Sequence, residues 1–273
     1  LGERGDERGD EQATRGWARM RLAGARVLVT GASSGIGAAT ALELSARGAR
    51  LVLSGRDQDA LAGVAARTGG EMLPADLSDP SADLAVRAGR VDVLVACAGE
   101  GWSGPLTRMS GGTAERMIAV NLTAHVQLTR LLLPGMLERG RGHLVYVASI
   151  AGVVGVREEA VYAATKAGLL VFAESLRYEL PPVDGAGVDG KGVGVTAVVP
   201  GVVDTPFFAR RGRPYTRRRP EPVPPERVAR AIATAVERDR AEVYVPAWLR
   251  VPARLHGAAP GVFRVLARRF GRP

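Results

Sequence analysis

Short, unbroken apolar runs alternate along this chain with longer stretches in which apolar residues return every three or four positions. The runs ARVLVT, RLVLSGR, VDVLVACAG, HLVYVAS, VGVTAVVP and EVYVP, with a further one ending at Ala75, have strand length. They are apolar at successive positions, as strands covered on both faces require. Between them, helical spacing predicts helices after the turn GASSGIG, around Asp57–Arg67, over Ser78–Ala88, over Gly111–Glu138 with Pro134 near its end, through AGLLVFAESLRYEL, and around Pro225–Arg238. Gly48 is a natural stop for the first of these helices. Strands alternating with helices predict an α/β fold, with a parallel sheet sandwiched between helical layers. Residues 181–192 (PPVDGAGVDGKG) read as a long surface connection. No internal domain boundary is visible between Ala23 and Pro246.

The two ends differ from this middle. Residues 1–19 are charged and glycine-rich, with a near-repeat of E-R-G-D. They can bury little, so residues 1–21 are expected to form a disordered tail, with Met20 a candidate natural start. Residues 247–273 read as a basic extension. On a helix there, Val262, Phe263, Leu266 and Phe270 would share one face, with Arg264 and Arg268 turned away. Such a segment suits either an anionic membrane surface or packing against its own or a partner subunit.

The net charge of +9 is concentrated toward that end. From Ala209 to Pro273 there are sixteen arginines against five acidic residues, which leaves residues 1–208 at −2. The basicity therefore belongs to the C-terminal segment, and with no nucleic-acid-binding motif beside it, it does not imply a nucleic-acid partner. No apolar run reaches the length of a membrane span, no signal-peptide pattern is visible, and the single cysteine, Cys97, rules out an internal disulfide. A cytoplasmic location, with membrane association through the extension as an option, is the expectation.

Chemistry concentrates between Ser149 and Lys166. Ser149 is expected at the end of a strand, with Tyr162 and Lys166 on the next helix, four residues apart and so on one face. A phenol is a poor acid–base group near neutrality unless a cation stabilises its anion, and a lysine one turn away can do so. Among 37 basic residues only Lys166 and Lys191 are lysines, which singles out Lys166. Taken alone, the pair also fits a core tyrosine beside a solvated lysine.

Thr30-Gly31-Ala32-Ser33-Ser34-Gly35-Ile36-Gly37 occupies the first strand-to-helix turn. Glycines there let backbone approach a pyrophosphate, and the helix N-terminus supplies N–H donors and a favourable dipole. The second strand ends in Ser54-Gly55-Arg56, where an NAD site usually carries an acidic residue for the ribose 2′-hydroxyl. An arginine there suits a 2′-phosphate, so NADP(H) is favoured over NAD(H). Asp76 can accept from an adenine amino group with Leu77 flanking the ring, or can simply cap a helix.

With these stretches together, residues 22–246 resemble the short-chain dehydrogenase/reductase family. TGASSGIG is similar to its TGxxxGxG cofactor turn, and Ala96-Cys97-Ala98-Gly99 stands where the family usually has NNAG. Asn121, Ser149, Tyr162 and Lys166 match its catalytic tetrad, and Pro200-Gly201 with Val203 and Thr205 resembles the P-G-x-x-x-T segment at the nicotinamide end. The resemblance implies a single-domain doubly wound Rossmann fold with a seven-stranded parallel sheet, commonly in homo-dimers or homo-tetramers. It implies reversible hydride transfer between a nicotinamide and a small-molecule carbonyl or alcohol, with no metal. Tyr162 would be the acid/base, Lys166 would lower its pKa and hold the ribose, Ser149 would bond the developing alkoxide, and Asn121 would position a relay water. Gly31, Ser33–Gly37, Ser54, Arg56, Asp76, Leu77, Ala98, Gly99, Pro200, Gly201, Val203 and Thr205 would hold the cofactor together with Tyr162 and Lys166. Ala96 and Cys97 depart from the family's asparagines and are expected to alter strand support more than chemistry. The loops Glu100–Met109, Ile150–Val161 and Val202–Pro225 carry Trp102, Phe207, Phe208 and Tyr215 among arginines, which suits a hydrophobic carbonyl compound, with an acidic tail as an option. The competing reading is a non-catalytic dinucleotide-binding sensor or scaffold, for which an intact tetrad has no use.

Overall fold

The apolar runs become seven strands: β1 (Arg26–Thr30), β2 (Arg50–Ser54), β3 (Glu71–Met72), β4 (Val93–Ala96), β5 (Arg141–Val147), β6 (Gly192–Pro200) and β7 (Glu242–Val245). The structure, a computed structural model, describes residues 20–79, 82–180, 192–216, 219–261 and 263. The strands form one sheet in the order β3-β2-β1-β4-β5-β6-β7, and every pair in it is parallel. Side chains alternate across the pleat. Val27, Val29, Leu51, Leu53, Val93, Val95, Val145 and Val147 therefore enter one core. Leu28, Val52, Leu94, Leu144 and Tyr146 enter the other.

Helices α1 (Gly35–Ala46), α2 (Gln58–Thr68) and α8 (Pro225–Glu237) close the first core with Leu44, Leu61, Val228 and Ile232. Helices α3 (Ala82–Ala88), α5 (Ala124–Glu138) and α6 (Ala160–Glu179) close the second with Leu84, Leu128, Met136 and Leu169. The predicted doubly wound α/β architecture is thus the observed one. Strand order reverses at β1, so a crevice opens above the carboxyl ends of β1 and β4, the usual ligand position in such sheets.

Four details depart from the sequence reading. β3 is an edge strand of only two residues and stops well before Ala75. The helix expected from Ser78 begins at Ala82, because Asp76 Oδ1 accepts from both the Ser78 N–H and the Ser78 hydroxyl and holds a turn there. The ends of the folded body also lie further out than expected. Met20 and Leu22 are 8% and 2% exposed, so both belong to the folded body. Leu249 and Ala253 are buried too, so the fold continues past Pro246 into the helix α9 (Arg250–Ala258). Of the proposed C-terminal apolar face, only Phe263 is described, edge-on to His256 at 5.1 Å; Val262, Leu266 and Phe270 lie outside the described residues, as do 1–19 and the connection 181–191. Among the described residues no helix is long and apolar enough to cross a membrane.

The last departure bears on the site. The predicted helix over Gly111–Glu138 is two α-helical segments, α4 (Gly111–Ile118) and α5, joined through a π-helical turn at Ala119–Thr123. There the Ala124 N–H reaches back five residues to the Ala119 carbonyl. Asn121 sits at the centre of this turn, fully buried.

Candidate active site

A cavity of about 1150 Å³ lies over the carboxyl ends of the strands. Every site residue anticipated from sequence lines it except Asn121, which lies behind its wall. At its floor the β1–α1 turn is shaped by glycine. Gly31 and Gly35 have φ of +68° and +55°, which L side chains rarely adopt. A Cβ on Gly37 would lie 2.1 Å from the Gly31 carbonyl oxygen. Gly55 plays a similar part, since a Cβ there would press on Ser33 Oγ at 3.1 Å. Ser34 precedes α1 without capping it through its side chain, so its hydroxyl is free to accept from Arg210 Nη2 at 2.5 Å. Among the described residues, Ser54 Oγ is buried without a hydrogen-bond partner. An uncapped helix start, a glycine cradle and an orphaned hydroxyl fit a pyrophosphate-bearing dinucleotide.

Thr30 ties this floor to β4. Its hydroxyl accepts from the backbone N–H groups of Cys97 and Ala98, at 3.0 and 3.1 Å. Strand support at the family's asparagine positions is thus supplied from β1. Burial pushes the Cys97 thiol up to about 12, which disfavours its thiolate.

The tetrad positions converge from three elements. Ser149 follows β5, and its Oγ accepts from the Ala151 N–H at 3.1 Å and lines the same cavity as the Tyr162 phenol. Tyr162 and Lys166 project from α6 into the same cavity. Lys166 Nζ donates to the Val147 carbonyl at 2.9 Å and stands 5.9 Å from the Tyr162 ring centroid. Burial dominates both groups. It pushes the phenol up to about 12 and the ammonium down to about 8. What draws the phenol downward is the Ser149 hydroxyl and then the Arg211 charge.

Asn121 is held by three hydrogen bonds of its own side chain. Its Oδ1 accepts from the Glu100 N–H at 2.7 Å, while Nδ2 donates to the Glu100 carbonyl at 2.9 Å and to Thr165 Oγ1 at 3.1 Å. The side chain clamps the loop after β4 to α6, and the π-turn aims it there.

The outer wall is aromatic and ionic. Phe207, in the short helix α7 (Phe207–Arg210), packs on Tyr162 with ring centroids 5.4 Å apart, and Phe208 and Tyr215 continue the cluster. Arg211 pairs with Glu159 and Arg213 with Glu158, which ties this wall to the loop before α6. These carboxylates pair two of the arginines of Val202–Pro225. The adenosine end holds a network that sequence reasoning missed. Arg56 and Arg116 both meet Glu100, and Arg116 continues to Asp76. Asp76 is thereby held down to about 2: burial opposes this, and is outweighed by the Ser78 hydrogen bonds and Arg116. No local motif marks Glu100 or Arg116, because their encounter depends on where α4 falls in the fold.

The comparisons with known proteins agree with this geometry. The family model for short chain dehydrogenase matches residues 25–215. The chain belongs to the short-chain dehydrogenase/reductase family. An uncharacterised oxidoreductase of Myxococcus xanthus is 35% identical over 255 residues, covering 89% of this chain and 96% of that protein. A short-chain dehydrogenase from Sphingobium yanoikuyae, solved with NADPH, superposes with a TM-score of 0.76 at 32% identity, covering 88% of this chain and 95% of that one. A family member from Burkholderia phymatum, solved with NAD, gives 0.75 at 26%, covering 89% and 96%. The chain is therefore an oxidoreductase of this family with a nucleotide-binding Rossmann fold. Its short-chain dehydrogenase/reductase relatives include both NADP- and NAD-bound forms, so the cofactor choice rests on this chain's own residues.

Proposed function

We propose that this short-chain dehydrogenase/reductase interconverts a hydrophobic carbonyl compound and its alcohol, with NADP(H) favoured over NAD(H). The observation that carries the reading is the convergence of Tyr162, Ser149 and Lys166 in the cavity that also holds the glycine turn. The nicotinamide, when bound, supplies or accepts the hydride. The Ser149 hydroxyl orients the carbonyl oxygen and bonds the alkoxide as charge develops. The Tyr162 phenol, kept protonated by burial, gives its proton to that oxygen in reduction and takes it back in oxidation. Lys166 places a cation behind the phenol and keeps a proton within reach of the site. Asn121 is a positioning residue that holds the Glu100 backbone, and with it the cavity wall.

Substrate class follows from the outer wall. Phe207, Phe208, Ile150 and Val156 line it, and Arg211 and Arg213 are already paired with carboxylates. Such a wall favours an apolar body. Support for NADP(H) comes from Arg56, half exposed at the end of β2 where a 2′-phosphate would arrive. The test is turnover of a panel of ketones, aldehydes and alcohols with NADPH and NADH, beside Tyr162→Phe. The variant should lose at least about a hundredfold in kcat, with cofactor Kd changed less than about twofold. Retained turnover in the variant, or preference for small polar ketones, would overturn the reading.

A further inference from the structure

The end of β2 carries no acidic residue in sequence, yet the folded protein places one there. Glu100, just beyond β4, brings its Oε1 to 2.7 Å from Arg56 Nη1. Its other oxygen meets Arg116 Nε at 3.1 Å. Arg116 is itself held by Asp76, at 3.0 and 3.1 Å from its Nη2, and by Ser78 Oγ at 2.8 Å from its Nη1. Two cations and two carboxylates therefore form a closed, neutral cluster. Arg56, Asp76 and Glu100 of this cluster line the cavity.

The partners are unequally fixed. Arg116 is anchored on three side chains, whereas the Arg56 side chain is 50% exposed. Glu100 is 23% exposed, and Asn121 fastens its backbone on both sides, so its carboxylate cannot drift far. Within this cluster Arg56 is the least anchored member.

We propose that Glu100 sets the balance between NADP(H) and NAD(H) by competing with the ribose 2′-phosphate for Arg56. The proposal rests on the reading of Arg56 as the 2′-phosphate partner. A ribose 2′-hydroxyl leaves the Arg56–Glu100 pair intact and can donate to the carboxylate. A 2′-phosphate must draw Arg56 off Glu100, whose charge Arg116 then balances alone. Glu100 is thus a specificity-determining residue that lowers the advantage of NADP(H) below what Arg56 by itself would give.

Kd values for NADPH and NADH, measured by calorimetry on the full chain, test this. Glu100→Gln should tighten NADPH about threefold to tenfold, the scale of a half-exposed ion pair plus one removed repulsion, and leave NADH unchanged or weaker. Glu100→Asp, which withdraws the carboxylate from Arg56, should move the ratio the same way by less. It is the second readout should the glutamine variant lose its fold and bind neither cofactor. In an Arg56→Ala background, Glu100→Gln should lose most of its effect on NADPH. If Arg56→Ala weakens NADPH but neither Glu100 variant changes the ratio, the proposal is overturned while the Arg56 reading stands. A full Glu100→Gln effect that persists without Arg56 also overturns it. If Arg56→Ala leaves NADPH affinity unchanged, the Arg56 reading itself fails, and the proposal with it.

Discussion

Lowering the pH from 8 to 5 should remove a large part of this protein's stability, through two buried histidines. His143 hydrogen-bonds Thr196 Oγ1 at 2.8 Å, with Asp239 at 3.9 Å and Arg177 beyond. Burial holds its imidazole down to about 4; Arg177 adds to this and Asp239 opposes it. His125, four residues after Asn121, is held down to about 3 by burial and the Lys166 charge, against the Asn121 carbonyl. In the unfolded chain both titrate near about 6.5, so between pH 6.5 and 4 the unfolded state binds more protons and stability falls with pH. At pH 5 each unfolded imidazole is almost fully protonated and each folded one is neutral, which costs on the order of 2 kcal/mol per histidine relative to pH 8. Together that is about 4 kcal/mol, against total stabilities of roughly 5–15 kcal/mol. The depressed Asp76 and Asp92 carboxyls act below this window, and Lys166 and Tyr162 act above it. Urea unfolding followed by circular dichroism at pH 8, 6 and 5 reads the slope directly. His143→Gln should remove about half of it. Stability that stays flat between pH 8 and 5 in the unmodified protein would refute the reasoning.

Two other perturbations probe the site. Gly37→Ala drives a methyl group against the Gly31 carbonyl, so the turn must open; cofactor Kd should rise at least about tenfold and stability fall by about 1–3 kcal/mol, and a melt and titration matching the unmodified protein would contradict this. Arg211→Ala leaves the Glu159 charge unbalanced beside Tyr162, whose phenol it already raises. The acidic limb of the pH profile for alcohol oxidation should then move up by about one unit, and a profile that stays put would show that the pair only holds the wall.

What the sequence made legible is what lies close together along it. The glycine turn, Ser149 after an apolar run, and Tyr162 and Lys166 one helical turn apart are local patterns, and so is the alternation that builds the sheet. The misses are of another kind. Helical spacing over Gly111–Glu138 is indifferent to a π-turn, because one extra residue in the coil changes neither composition nor the presence of an apolar face. The Glu100 cluster gathers residues from the ends of β2 and β4, from the turn at Asp76 and from α4. Only the packed chain decides which cation each carboxylate meets.

The π-turn has a consequence for how this chain tolerates change. α4 and α5 keep separate rotational phases, offset at Asn121 by the additional residue. Deleting one residue there would restore an uninterrupted α-helix, a gain by local criteria, yet would turn everything before it by about 100° relative to α5. Arg116 would swing away from Glu100 and Asp76, and Asn121 away from the Glu100 backbone, although every side chain named in the site would still be present. At this point in the chain, residue count carries information that residue identity does not. An alignment that absorbs the mismatch as a gap elsewhere would pair the wrong neighbours while preserving every motif.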